Sequence, residues 1–392
     1  MSLRVLILVV LVAAVPRLAM TAPFIPASDG QVLEWLPFLL NDPAMRELRS
    51  LRDQLAREPS NLPLAVRVAQ GYLELGRVTG DPRYGGYAEA ALAPWWYLPP
   101  TPQEVLVLRA ILRQRGHAFD AALADLAMVL RTNPRNAQAR LTRATVLQVQ
   151  GAYESAREEC FALQDLTQEL VWSACLASVN GTTGKLRESY WQLRAALDKH
   201  PSAQAGVQSW ILTSLAEMAA RAGMVPEAEA HFRAALNLDA ADHYLLGAYA
   251  DFLLDNSRPR EVMALLRDKT SADPLLLRYA LALQAQHSNE LPAQVEQLRD
   301  RFAANRLRGD RVHLREEARF TLHLLDAPLA ALQLAQENWQ VQKESADVRI
   351  LLEAALAAED AAAVDTMKAW LRNSRLEDVR LDRLVPEAGR LN

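Results

Sequence analysis

The sequence predicts an all-α protein in which pairs of antiparallel helices repeat along the chain. Of the 392 residues, 51% are apolar and only 15 are glycine, and Ala, Leu, Arg and Glu dominate the middle of the chain. This composition favours helix by intrinsic propensity. Apolar and small residues also recur at helical spacing with a period close to 34 residues, and no stretch reads as a convincing strand. The chain is longer than a single compact core normally supports, so we expect a repeat array.

The first 22 residues have the features of an export signal. Arg4 gives a basic start, and residues 5–15 form an uncharged apolar run. Such a helix rises about 16 Å, which is too short for roughly 30 Å of hydrocarbon. We therefore expect a signal peptide at 1–22, cut after Ala22 or near Ala14, and an exported, periplasmic protein. An uncleaved signal that tethers the protein to the membrane, or a buried N-terminal helix, are the alternatives.

The repeating unit is clearest from 61 to 276. Ala122, Leu126 and Val129 lie on one helix face, and Pro134 then stops that helix. The same spacing returns about 34 residues before and after this set. Glycine marks the turn inside each pair, because a left-handed helix cap favours it. These turn glycines are Gly76, Gly116, Gly151, Gly184 and Gly223.

This pattern resembles the tetratricopeptide repeat (TPR) family. The resemblance rests on small residues of the first helices, on the Gly-Ala-Tyr turn at 151–153 and on the alanines that open second helices. The small residues of the first helices are Ala69, Ala144, Ala177, Ala216 and Ala250. The alanines that open second helices are Ala122, Ala156 and Ala228. The resemblance implies an α-solenoid, a right-handed superhelix of about eight TPR-like antiparallel helix pairs with an open concave groove.

The resemblance also divides the chain into segments. After the signal peptide, residues 23–60 are expected to form an N-terminal segment and a capping helix. Residues 61–276 form the TPR-like repeats. Residues 277–392 keep the period but lose its glycines and prolines, so we expect degenerate repeats and a C-terminal cap there.

Residues 80–86 interrupt the regular spacing. If the first helix ends at Gly76, these residues are a seven-residue insertion in the turn, and Gly-Asp-Pro at 80–82 is a strong turn signal. Aromatic residues follow, of the types that dominate binding surfaces. Two interpretations stay open: a packing feature that fixes the insertion, and a ligand or peptide contact through Tyr84, Trp95 and Trp96.

No motif in the sequence indicates catalysis, a metal ion, a cofactor or nucleic acid. The seven histidines lack metal-ligand spacing, and GTTGK at 181–185 lacks the spacing of a phosphate-binding loop. Glutamate pairs at 158–159 and 316–317 are expected to be solvated. The net charge is −4, without a basic stripe. We expect no catalytic residue, no cofactor and no metal site.

Cys160 and Cys175 are the two cysteines of the chain. The repeat places them on neighbouring antiparallel helices at similar height. In an oxidising compartment a disulfide is expected, and two buried thiols are the alternative. A bridge here would contribute about 3 kcal/mol in the chain-entropy model.

The expected function is a non-catalytic exported scaffold that binds a protein or peptide in the groove. The alternatives are a transient assembly or chaperone-like factor for an envelope complex, and an enzyme with a site near 80–100. Polar positions on the first helices are the candidate contacts, unless they are merely solvated. They are Arg67, Gln70, Glu74, Arg113, Gln114, Gln138, Thr142, Thr145 and Gln148, followed by Glu217 and Arg221. No nucleic acid is expected, and the export signal is the only expected membrane contact.

Overall fold

The structure is a computed structural model that describes residues 43–385. The expected signal peptide at 1–22 lies outside the described residues. The chain divides into compact units at 1–47 and 48–392, and the account below concerns the second unit. No helix within 43–385 has both the length and the apolar character needed to cross a membrane.

The described residues form twenty α-helices. In chain order they are α1 (Pro43–Arg57), α2 (Leu62–Thr79), α3 (Arg83–Trp96), α4 (Gln103–Arg115), α5 (Phe119–Thr132), α6 (Ala137–Val149), α7 (Tyr153–Phe161), α8 (Glu169–Asn180), α9 (Leu186–Lys199), α10 (Ala205–Arg221), α11 (Val225–Leu238), α12 (His243–Asp255), α13 (Pro259–Leu266), α14 (Asp273–Ala285), α15 (Leu291–Leu307), α16 (Leu314–His323), α17 (Pro328–Val341), α18 (Ser345–Ala357), α19 (Ala361–Ser374) and α20 (Val379–Leu384).

Consecutive helices pack as antiparallel pairs, which confirms the predicted TPR-like solenoid. Each even-numbered helix from α2 to α18 is the first helix of a pair, and the next helix is the second. The described residues therefore hold nine pairs, where about eight were expected. The additional pair lies in the C-terminal part, where the glycine and proline markers are missing.

Small residues lie where the helices of neighbouring pairs cross. Ala69, Ala144, Ala216 and Ala250 are at most 1% exposed. The first, second and fourth are each the eighth residue of their first helix, and Ala216 is the twelfth residue of the longer α10. A methyl side chain lets two helix backbones approach closely, and the larger apolar residues of the face then pack around the contact. No pair buries its apolar face alone, so stacking of pairs creates the continuous core.

The solenoid turns back on itself, so that the turns of early pairs contact loops of late pairs. We call α2–α11 the first layer and α12–α20 the second layer. The backbone N–H of Lys343 donates to the Val149 carbonyl at 2.8 Å, across 194 residues of sequence. His243 Nδ1 lies 2.5 Å from the Val78 carbonyl oxygen. Such polar contacts join the two layers.

Glycine in four of the five first-layer turns is explained by this stacking. The left-handed cap predicted at Gly116 is wrong, because Gly116 has φ −87° and His117 takes the left-handed conformation with φ 56°. Gly80, Gly151, Gly184 and Gly223 all have positive φ, from 65° to 85°. A Cβ at Gly184 would lie 3.0 Å from Cβ of Arg375 in the second layer, which is tighter than ordinary van der Waals contact. Here both the backbone conformation and the approach of the other layer favour glycine.

The second-layer turns take the same left-handed conformation without glycine. Ser257, His287, Asp326 and Glu359 have φ between 50° and 57°. Their side chains are exposed or half-buried, so a Cβ is accommodated at each position. This is why the glycine pattern ends at Gly223 although the helix pairs continue.

The predicted insertion loop at 80–86 is wrong. Helix α2 continues through Gly76 to Thr79, and Gly80 is its left-handed cap. Helix α3 already begins at Arg83, whose N–H donates to Asp81 Oδ1 at 2.9 Å. The extra residues therefore lengthen two helices, and the turn between them stays short.

Candidate functional site

The inner face of the solenoid is identified by side chains that reach beyond their sequence neighbours. Asp251 on α12 accepts a hydrogen bond from Arg278 at 2.5 Å and from Arg319 of α16 at 3.0 Å. Since α12 and α16 belong to different, non-adjacent pairs, Asp251 must point toward a shared interior. Burial favours the protonated form of Asp251, but the charges of the two arginines outweigh this and lower its pKa well below the usual range.

Asp255, one helical turn later, gathers partners from farther along the chain. Arg349 of α18 lies 2.7 Å from its carboxylate, and Arg380 of α20 lies 3.3 Å from it. Arg349 also pairs with Glu353 at 2.7 Å, and His323 lies 3.0 Å from the same glutamate. Burial raises the pKa of Glu353, but the hydrogen bond from His323 and the charge of Arg349 lower it to about 2.

These ion pairs occupy the inner face of the second layer. Four first helices and α20 meet there through arginines and carboxylates of the chain itself. A groove open along the whole array, as expected from the resemblance, is therefore not present in this part. A ligand on the inner face of α14–α20, or beside Asp251 and Asp255 of α12, would have to break these partly buried charge pairs, which is destabilising.

The inner face continues onto α10 in a regular register. Trp210, Glu217 and Arg221 stand 34 residues before Tyr244, Asp251 and Asp255. The Tyr244 hydroxyl donates to Glu217 Oε1 at 2.8 Å, although its ring is 64% exposed. Trp210 is 40% exposed. Two aromatic side chains thus remain accessible on consecutive first helices.

The electrostatics of this region couple Tyr244 to Glu217. The negative charge of Glu217 raises the pKa of Tyr244 well above its usual value, and the surrounding helices add to the effect. The same surroundings raise the pKa of Glu217, against the hydrogen bond from Tyr244. The Tyr244 ring is thus accessible to water although protein surrounds it, as expected of a residue that lines an interior.

Helix α6 contributes an uncharged polar face. Gln138 and Thr145 are exposed, as predicted for contact residues. Gln148 is half-buried and donates to Ser178 of α8 at 2.8 Å. Thr142 is only 4% exposed and accepts a hydrogen bond from Gln138 at 3.2 Å, so it is unsuited to contact a ligand directly.

The candidates on α2 are exposed. Arg67, Gln70 and Glu74 all lie on the accessible face of this helix. Glu74 pairs with Arg77 at 2.7 Å, and Arg77 also lies 3.0 Å from Asp239, in the loop before α12. This end of α2 is therefore part of the contact between the layers.

The candidates on α4 are held by neighbouring groups. Arg113 lies 2.6 Å from Asp125 of α5, and the same carboxylate is paired with Arg109 at 2.7 Å. Arg113 therefore stabilises its own helix pair, which sequence spacing alone does not reveal. Gln114 is half-buried.

Trp95 and Trp96 are packing residues. They are 9% and 7% exposed, and the Arg109 guanidinium lies 5.6 Å from the centre of the Trp96 ring. Tyr84 is half-buried and stacks on Tyr72 with ring centres 6.1 Å apart. These positions favour the packing interpretation of residues 80–100 over the binding interpretation.

Three glutamates expected in solvent are buried instead. Glu159 is 8% exposed and lies 2.7 Å from Arg140 of the preceding helix. Glu316 and Glu317 are 7% and 6% exposed, and Glu317 is paired with Arg306. Arginines of packed neighbours compensate these carboxylates, so a pair of adjacent glutamates does not by itself indicate a solvated surface.

Cys160 at the end of α7 and Cys175 in α8 form a disulfide with Cα atoms 5.5 Å apart. Both residues are buried. The bond links the second helix of one pair to the first helix of the next. Within residues 43–385, no group of three or more His, Cys, Asp or Glu side chains is arranged to hold a metal ion.

Comparisons with known proteins return structural similarities only. No protein-family model matches the sequence, and no curated protein matches it. A tetratricopeptide repeat protein from Parabacteroides merdae is 12% identical over 78% of this chain and 99% of its own, with a TM-score of 0.37. The human IFIT1 dimer with PPP-AAAA is 12% identical over 84% and 78%, with a TM-score of 0.49. Yeast Tom70 is 13% identical over 88% and 95%, with a TM-score of 0.34. The fold described above rests on the helix pairs of this chain.

Proposed function

We propose that the protein is a non-catalytic exported scaffold that binds a protein or peptide segment on the inner face of its first layer and α12. The observation that carries this proposal is the pair Trp210 and Tyr244. Large aromatic side chains are normally buried in a helical repeat, yet these two remain accessible in equivalent positions. Exposed Trp and Tyr supply large contact area at low conformational entropy, which makes them frequent anchors of binding surfaces.

The chemistry around the two aromatic residues suits an extended peptide. Gln138 and Thr145 on α6 are exposed and uncharged, and Glu217 offers a carboxylate beside Tyr244. Amide and hydroxyl groups exchange hydrogen bonds with a peptide backbone without a requirement for charge. In contrast to the second layer, no ion pair joins α6, α8 and α10 to one another within residues 43–385, so binding there breaks no such pair.

The proposed export rests on two features. The chain begins with the basic and apolar pattern of a signal peptide, and its two cysteines are joined. Disulfides persist in oxidising compartments such as the bacterial periplasm. Cell fractionation, followed by mass determination of the N-terminus, tests this part of the proposal. A protein that is found in the cytosol with an intact N-terminus would refute it.

Site-specific photo-crosslinking tests the binding face. A photoreactive phenylalanine analogue replaces Tyr244 in one variant and Leu307, which is 90% exposed, in a matched control. We expect one protein to be captured through position 244 and not through 307. The double variant Trp210→Ala/Tyr244→Ala should lose that partner in co-purification without a loss of helix content. Equal labelling from both positions would contradict the proposal.

The same experiment separates a scaffold from a transient assembly factor. A scaffold keeps its partner in stoichiometric amount through purification. A transient factor yields crosslinks only while the envelope complex is being assembled, and its partner is absent from the purified protein.

A further inference from the structure

The Glu217 carboxylate on the inner face of α10 has one oxygen without a protein partner. Its Oε1 accepts the hydrogen bond from the Tyr244 hydroxyl at 2.8 Å. Within residues 43–385 no hydrogen bond or ion pair reaches Oε2, and the only buried side-chain polar atom without a partner in this range is His243 Nε2. Oε2 is therefore accessible to water and can accept a hydrogen bond from a ligand.

The charge of Glu217 is incompletely compensated within the protein. Burial raises its pKa, and the negative charge of Glu344, at the N-cap of α18, adds to this effect. The hydrogen bond from Tyr244 and the charges of Arg221 and Arg380 act in the opposite direction, yet the pKa of Glu217 stays raised. The ionised form of such a carboxylate would gain stability from a further positive charge.

The arginines near Glu217 interact more strongly with other carboxylates. Arg380 lies 2.6 Å from Asp378 and 3.3 Å from Asp255. Arg221 stands one helical turn after Glu217 on α10, but the two form no ion pair within residues 43–385. The charge of Asp378 acts on Arg221 more strongly than the charge of Glu217 does. Neither arginine therefore neutralises Glu217.

Two accessible aromatic side chains flank this carboxylate. The Tyr244 ring is 64% exposed and reaches from α12 to Glu217. Trp210 is 40% exposed and stands seven residues, or two helical turns, before Glu217 on the same face of α10. We call Trp210, Glu217 and Tyr244 the aromatic–acidic site. A positive charge is attracted both to the face of an aromatic ring and to a carboxylate, so this set suits a cation.

The second layer faces the aromatic–acidic site with a further carboxylate. Glu217 raises the pKa of Tyr244 most, and the charge of Glu344 adds to this effect, while the charge of Arg315 opposes it. Arg315 lies 2.9 Å from Glu344 and 3.3 Å from Asp347, so its own charge is compensated locally. The Glu344 side chain remains 47% exposed. A positively charged group at the site would thus be attracted by carboxylates of both layers.

We propose that the segment bound on the inner face is basic, and that a lysine or arginine side chain of the partner enters the aromatic–acidic site. This inference rests on the proposed function, because it names the chemistry of the segment bound there. The ammonium or guanidinium group donates to Glu217 Oε2, and its aliphatic stem packs on the Tyr244 ring. An acidic segment would instead place its charge beside the carboxylates of Glu217 and Glu344, which is unfavourable.

The spacing within the site also predicts a second contact. On a regular helix the Cα atoms of Trp210 and Glu217 are about 10 Å apart, a distance that about three residues of extended peptide span. Trp210 therefore contacts an apolar residue three positions from the basic residue of the partner.

Selection from a random heptapeptide display library tests the class of partner. The immobilised full chain is the bait, and Trp210→Ala/Tyr244→Ala serves in parallel to identify peptides that bind elsewhere. Peptides that require the two aromatic residues are retained. We expect lysine and arginine to be enriched several-fold among them relative to the unselected library, and aspartate and glutamate to be depleted. An apolar residue should recur three positions from the basic one.

Charge exchange assigns the contact to Glu217. The tightest-binding retained peptide should bind Glu217→Gln about tenfold more weakly than the wild type, because a charge-assisted hydrogen bond is lost. A version of this peptide with glutamate in place of its basic residue should bind Glu217→Lys more tightly than it binds the wild type. Glu158→Gln, an exposed glutamate of α7, is the matched control and should bind the basic peptide like the wild type. Unchanged helix content by circular dichroism shows that the variants are folded.

The outcomes separate this inference from the proposed function. Basic peptides whose affinity falls in Glu217→Gln and not in Glu158→Gln support the inference. Retained peptides that are neutral or acidic, or that bind Glu217→Gln as well as the wild type, refute the basic partner and leave binding on the inner face in place. A selection in which no peptide depends on Trp210 and Tyr244 refutes the proposed function together with the inference.

Discussion

Gly184→Ala is the sharpest test of the two-layer arrangement. Glycine adopts φ +85° there without strain, whereas alanine in the left-handed region costs about 1–2 kcal/mol. The new Cβ would also lie 3.0 Å from Arg375 Cβ and 3.3 Å from its Cδ, so the chain at Arg375, just after α19, must move, at a cost of about a further 1 kcal/mol. Alanine also reduces the conformational freedom of the unfolded chain, which offsets about 0.4–1 kcal/mol of this loss of stability. The net loss of stability is about 2 kcal/mol, and we expect it to appear as easier separation of the two layers.

The assay is hydrogen exchange at the Leu186 amide, which donates to the carboxylate of Glu377, in the loop between α19 and α20. A loss of about 2 kcal/mol corresponds to roughly 30-fold faster exchange. Ser257→Ala is the matched control, because Ser257 already carries a Cβ at φ 57° and is exposed. It should leave that amide unchanged. Equal acceleration in both variants, or none in Gly184→Ala, would refute the argument that the second layer selects glycine at the first-layer turns.

Three further outcomes follow from the described contacts. Cys160→Ala/Cys175→Ala should lose about 3 kcal/mol of unfolding free energy, because the bridge spans 15 residues of sequence, and a reductant should then affect only the wild type in urea titrations. Asp255→Ala should lose about 1–2 kcal/mol, because Arg349 and Arg380 lose a shared carboxylate and keep only Glu353 and Asp378, against less than about 0.5 kcal/mol for the exposed Asp53→Ala, both read from thermal unfolding. Burial raises the pKa of Asp347 from 3.8 to about 6, so its stabilising contribution is complete below pH 3.8 and is lost as pH rises through 6. The urea midpoint of the wild type should therefore rise, relative to Asp347→Asn, when pH is lowered from 7 to 5.

The fold was predictable because its signals are local. Small residues such as Ala144 and Ala216 recur at the helix crossings, and their spacing needs no knowledge of distant parts of the chain. The prediction failed where a local signal had two explanations. The sequence predicts a turn at Gly76, but this glycine lies inside α2 and is buried, with Arg115 Nη2 3.2 Å from where its Cβ would stand. Glycine there permits close approach of a neighbouring side chain, and Gly80 makes the turn.

The candidate site was only partly predictable, because ion pairs depend on which helices meet. Gln138 and Thr145 are exposed as expected, since their accessibility follows from the face of a single helix. Arg113 follows the same face rule, yet Asp125 of α5 takes its guanidinium. Tyr244 was missed for the opposite reason. Its place 34 residues after Trp210 was visible in the sequence, but its exposure depends on what the second layer leaves uncovered.

The return of the chain onto itself links these successes and failures. A solenoid whose pairs contact only their neighbours has an equivalent inner face at every repeat. Here α18 and α20 reach α12 through Arg349 and Arg380, and the chain at Arg375 and Val379 reaches the first-layer turns at Gly184 and Gly223. Equivalent positions therefore acquire different roles: Asp255 is a junction of ion pairs, while Arg221, 34 residues before it, forms no ion pair within residues 43–385. The repeating sequence makes the positions of successive repeats equivalent, and the contacts between the layers make their surroundings different. Binding surfaces in such a protein are to be sought where the second layer leaves a group uncovered or unsatisfied.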